Sequence, residues 1–149
     1  LSQNKSDSEN LTTRVKWIGF KQLFFSSIII ADQAFDNAQI AQEKFPEARQ
    51  YAENAKKVFP QEAQAYFISG VTDIQTQKFE PALENFSMYE KYLPGNPNTL
   101  FFTGLSHEGM QKQEPAAQEY YKFLQVVNQG PQAQHAYRRL VEWGYIKKQ

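Results

Sequence analysis

The strongest constraint on this chain is that it repeats itself every 34 residues. Displacing the sequence by that length lays Phe67-Ile68-Ser69-Gly70 on Phe101-Phe102-Thr103-Gly104, and Gln77-Lys78-Phe79-Glu80-Pro81-Ala82 on Gln111-Lys112-Gln113-Glu114-Pro115-Ala116. The register continues with Phe86 over Tyr120 and Tyr89 over Phe123. A third copy lies upstream, where Phe45-Pro46-Glu47-Ala48 precedes Phe79-Glu80-Pro81-Ala82 by one period and Pro60 precedes Pro94 by the same interval. A unit of this size cannot bury its own apolar face, so its copies must stack and share one continuous core.

The residues at the repeated positions specify helices. Gly70 and Gly104 lack a side chain and let a neighbouring helix come close, and Ala48, Ala82 and Ala116 do the same for the second helix of each pair. Pro46, Pro81 and Pro115 fit the first turn of a helix, where an amide proton would have no partner. Pro60, Pro94-Gly95-Asn96-Pro97 and Asn128-Gln129-Gly130-Pro131 end one helix and turn into the next. These signals predict helices near 12–25, 29–44, 46–58, 62–76, 80–93, 97–111, 114–127 and 131–146, and no strand.

A small residue in the first helix, Ala then an aromatic four on in the second, and a closing Pro together resemble the tetratricopeptide repeat family; Gly70, Ala82, Phe86 and Pro94 fill those positions in the best copy. Gly104, Ala116 and Tyr120 follow in the last copy, where the closing Pro slips to Pro131; Asp36 stands in place of Gly in the first. The resemblance covers about residues 29 to 130. It implies an all-α, right-handed superhelical stack of antiparallel helix pairs, with repeats at 29–62, 63–96 and 97–130. An N-terminal helix would precede them and a capping helix at 131–146 would cover the open apolar end. Residues 1–11, polar and poor in apolar side chains, read as a disordered terminus, and 12–149 as one domain.

Composition narrows the partners. Sixteen basic residues balance sixteen acidic ones, which removes the global charge that phosphate-driven nucleic-acid binding requires. With no cysteine there are no disulfides or thiolate ligands, and both a reducing cytoplasm and an oxidising periplasm tolerate such a chain. The most apolar run, Leu23 to Ala31, falls far short of the roughly 20 residues a bilayer span needs. The stretch Arg14 to Phe25, with Trp17 and Phe20 beside Lys16 and Lys21, reads as a cap on the first repeat in preference to an interfacial membrane helix.

In the family the first helices line a concave groove that receives a peptide or partner domain. The groove positions implied here are Gln33, Asn37, Gln64, Phe67, Val71, Gln75, Asn98, Phe101, Leu105, Glu108, His135, Arg139 and Glu142. Family members that grip a terminal carboxylate use a Lys, Asn and Arg set; Gln33, Phe67, Asn98 and Phe102 stand at those places, which argues against such a clamp. Phe67, Val71, Phe101 and Leu105 would instead receive apolar side chains of a protein or peptide. A competing placement packs these aromatics between adjacent repeats, since rings at helical spacing usually build core.

No catalytic constellation is legible, and no cofactor is implied. His107-Glu108 opens like a zinc-protease motif, yet Gln111 occupies the place of the second His. Ser106 and His107 are helix neighbours that point to different faces. The triplets at Asn10 and Asn85 match the glycosylation pattern by chance frequency, Phe86 being needed in a helix core. The closing run Gln132 to Tyr145 is similar to repeat extensions of bacterial HExxH zinc metallopeptidases, which implies a non-catalytic recruiting or assembly domain of a larger enzyme. Secretion chaperones also use three such repeats, although their cysteine-bearing motifs are absent. An uncovered aromatic groove is compatible with a homodimer.

Overall fold

A computed structural model describes residues 45–149, and within them the chain is helical throughout, with six helices and no strand. They are α1 (Phe45–Val58), α2 (Ala63–Gln75), α3 (Phe79–Tyr92), α4 (Pro97–Gly109), α5 (Gln113–Val126) and α6 (Pro131–Glu142). The expected segments 12–25 and 29–44, with the cap expected at the N-terminus, lie outside the described residues.

The backbone keeps the 34-residue period found in the sequence: α1, α3 and α5 begin at 45, 79 and 113, and α2, α4 and α6 at 63, 97 and 131. The turns repeat too. Gln77 and Gln111 both take left-handed backbone, with φ of 60° and 59°. Around them Lys78 N donates to Asp73 O and Lys112 N to His107 O at 2.7 and 2.9 Å, closing each helix end with the same pair of reversed bonds. At the starts, Glu62 and Asn96 accept from the amides two residues on, Gln64 and Asn98, and Pro97 and Pro131 occupy first-turn positions. The last helix stops at Glu142, short of the expected 146. Gly144 at φ 80° lets Tyr145 N reach back to Leu140 O at 2.9 Å.

Each helix packs on its sequence neighbour, and α2 also touches α4. The core between them is an aromatic ladder. Phe86 on α3 and Phe102 on α4 are stacked at 5.5 Å, Phe67 meets Tyr89 and Phe102 at 5.1 and 5.2 Å, and Phe101 meets Phe123 at 5.4 Å. Gly70 and Gly104 make this possible: a Cβ on either would lie 2.7 Å from the ring of Phe86 or Tyr120.

Candidate functional site

The 34-residue register explains where polarity enters the ladder. Ile74 becomes Glu108 one period later, Phe86 becomes Tyr120, Phe101 becomes His135, and Leu105 becomes Arg139. Two apolar positions of the second copy and two of the third thus turn polar one period later. The structure brings all four into one cluster between α4, α5 and α6.

Glu108 is its centre. The Tyr120 hydroxyl donates to Glu108 Oε2 at 2.5 Å, and His135 Nε2 lies 3.0 Å from the same oxygen. A carboxylate only accepts, so the Nε2–H form of His135 fits the site, leaving Nδ1 to accept from Arg138 Nη2 at 3.4 Å. The other oxygen, Glu108 Oε1, is 2.6 Å from Arg139 Nε. That contact is an ion pair without hydrogen-bond alignment, for the Nε–H finds no aligned acceptor.

Arg139 is held from three sides: Glu108 at its Nε, the Trp143 ring 4.9 Å from its guanidinium carbon, and Glu142 Oε2 at 2.7 Å from Nη1. Trp143 stacks in turn on Tyr120 at 6.1 Å. Beside them opens a pocket of ≈ 180 Å³ lined by Glu108, Gln111, Gln113, Arg139 and Trp143.

The electrostatics follow from this geometry. Burial alone would raise the Glu108 pKa, but hydrogen bonds from His135 and Tyr120 and the charge of Arg139 outweigh it and hold the carboxyl below its ordinary value. Tyr120 moves far upward, first through burial and then because its hydroxyl donates to a carboxylate. Nearby, burial leads in pulling His107 below its ordinary value, with Lys112 adding to it.

The expected groove residues divide into several sets. Gln33 and Asn37 lie outside the described residues. Phe67, Val71 and Phe101 are only 3, 7 and 5 % exposed, so the competing placement holds for them: their side chains build the core and leave no apolar surface to offer. Leu105, Gln64 and Asn98 are half-buried, and Gln75 is exposed. Glu108, His135 and Arg139 converge, with the exposed Glu142 beside them. Tyr120 and Trp143, and the pocket walls Gln111 and Gln113, are not among the site residues expected from the sequence. The available signal was the paired change Ile74 to Glu108 and Phe86 to Tyr120. Ser106 and His107 form no nucleophile pair: Ser106 is buried and donates to Phe102 O at 2.8 Å.

A second polar network ties α1, α2 and α3. Asp73, fully buried, accepts from Arg49 and from Asn85 Nδ2 at 2.8 Å, while Lys56 reaches both Asn85 and Glu53. Every contact is internal to the helix stack, which marks it as structural.

No protein-family model matches this chain. It is similar over short stretches to membrane protein insertases. The insertase YidC of Phocaeicola vulgatus is 43% identical over 54 residues, 36% of this chain and 9% of that protein. That of Parabacteroides distasonis is 40% identical over 47 residues, 32% and 7% of the two chains. That of Bacteroides fragilis is 42% identical over 40 residues, 27% and 6%. The chain therefore spans less than about a tenth of the length of these relatives. No described helix is long and apolar enough to cross a membrane.

Proposed function

We propose that this chain is a tetratricopeptide-type binding module, a superhelical stack whose row of first helices, α2, α4 and α6, holds a segment of another polypeptide. The observation that carries the reading is the convergence of Glu108, His135 and Arg139 from α4 and α6 beside an open pocket, at positions the repeat register assigns to one shared face. A polar cluster fixed by mutual hydrogen bonds is preorganised, and preorganisation lowers the entropic cost of binding. The row is mixed in character, with half-buried Leu105 among Gln64, Gln75 and Asn98, so it suits a peptide read through its backbone and a few side chains.

The test is peptide selection from a displayed random library against the full chain, repeated with Leu105→Glu after circular dichroism shows unchanged helicity. Peptides that bind wild type and lose about tenfold or more on the variant support the row as the site. Peptides indifferent to it place binding elsewhere.

The similarity to membrane protein insertases favours a second reading, in which the module serves a process connected with membrane protein insertion. It is tested by co-purification of the chain with an insertase of that kind from detergent extract.

A further inference from the structure

We infer that the pocket beside Arg139 and Trp143 binds the side-chain carboxylate of an acidic residue in the partner polypeptide, which rests on the binding-module reading above. Arg139 is prepared for this before any ligand arrives. Its Nε edge is fixed by Glu108, which Tyr120 and His135 hold in turn, and its guanidinium lies over the Trp143 ring. At the opposite edge Nη1 is held by Glu142, whose side chain is 47% exposed and sits one helical turn along, and the Arg139 side chain keeps 31% of its own surface exposed. Exposed pairs of that kind contribute little and are readily exchanged. A ligand carboxylate that displaces Glu142 gains both Nη donors in the two-bond fork that guanidinium and carboxylate geometry favours.

The surroundings select an acidic side chain. Gln111 and Gln113 line the mouth and supply amide donors for an oxygen that the fork leaves partly open. Trp143, which lines the same pocket, gives the methylene stem of a glutamate or aspartate an apolar contact. Glu108 is turned away from the ligand by its own partners: Tyr120 and His135 hold its Oε2, and Arg139 is the cation that it and the ligand carboxylate share once Glu142 is displaced.

The experiment is an NMR titration of the full chain, following the Arg139 side-chain and Trp143 indole N–H signals, with blocked peptides Gly-Gly-Glu-Gly-Gly and Gly-Gly-Gln-Gly-Gly and with pentaglycine carrying a free C-terminus. The Glu peptide is expected to shift these signals at about tenfold lower concentration than the Gln peptide or pentaglycine. Arg139→Lys is expected to weaken the Glu peptide about tenfold while the backbone spectrum stays folded, since a lysine keeps the charge and loses the fork. Glu142→Gln, which removes the internal competitor, is expected to tighten it by about threefold. Equal response to Glu and Gln peptides, pentaglycine matching the Glu peptide, indifference to Arg139→Lys, or weaker binding by Glu142→Gln would each overturn the assignment. If library peptides still depend on Leu105 in that event, the acidic pocket is lost and the binding module stands; if they do not, both readings fail together.

Discussion

Asp73 on α2 is completely buried, and the cation that faces it is Arg49 on α1, which is itself about a third exposed. The carboxylate also accepts from Asn85 on α3, so one buried charge joins three consecutive helices. Arg49→Ala leaves that charge with Asn85 alone and is expected to cost about 2–3 kcal/mol in urea unfolding. Adding Asp73→Asn to that variant should restore part of the loss, because the stranded charge is then gone. A double variant whose loss equals the sum of the two singles would show that the residues do not interact.

Phe67 and Phe101 test whether the aromatic ladder is core. Each is packed against at least three rings, and truncating either to Ala is expected to destabilise the chain by about 3–5 kcal/mol. The loss should be visible in thermal unfolding without any ligand. Variants that stay as stable as wild type would return these side chains to the surface.

These two phenylalanines also mark the limit of what the sequence could convey. Helix positions were readable because Pro, Gly and the period punctuate the chain locally, and five of the six described helices begin and end within two residues of the expected bounds. Glu108, His135 and Arg139, which the register alone sets in one row, meet in the structure. Whether a given ring on that row points out or folds between helices depends on the volume left by Gly70 and Gly104, a distance across helices that spacing along the chain does not encode. Tyr120 was missed for the same reason: its ring is core, and only its hydroxyl belongs to the cluster.

Gly70 and Gly104 occupy the same register position, yet their substitution should differ in consequence. A methyl on either meets a ring at 2.7 Å, and the strain of about 1–3 kcal/mol exceeds the gain of about 1 kcal/mol from replacing helical Gly by Ala. Gly70→Ala pushes Phe86, which carries no polar group of the cluster. Gly104→Ala pushes Tyr120 and with it the hydroxyl that holds Glu108, so it should also weaken any peptide whose binding needs Arg139. Equal effects of the two variants on such a peptide would disconnect Tyr120 from the site.

Glu108 makes stability depend on acid in a definite direction. Its carboxyl is held below the ordinary value of 4.5 in the folded chain, so its stabilisation is complete above that pH and is lost as pH falls through the lower, folded value. Wild type should therefore lose urea resistance progressively below about pH 4.5. Glu108→Gln should start about 1–2 kcal/mol weaker near neutrality, having given up the charge opposite Arg139, and then decline more gently. Some decline remains because Glu53 is also held below its ordinary value, against the opposing effect of burial, by Lys56, Ser69 and Arg49. Tyr120 supplies the mirror image at the other end of the scale: its raised pKa means stability is intact below its ordinary 10.0 and falls as pH climbs above it, a fall that Tyr120→Phe should reduce. Parallel acid profiles for wild type and Glu108→Gln would show that the carboxylate is not held by the cluster, and would remove the anchor on which the outward-facing edge of Arg139 depends.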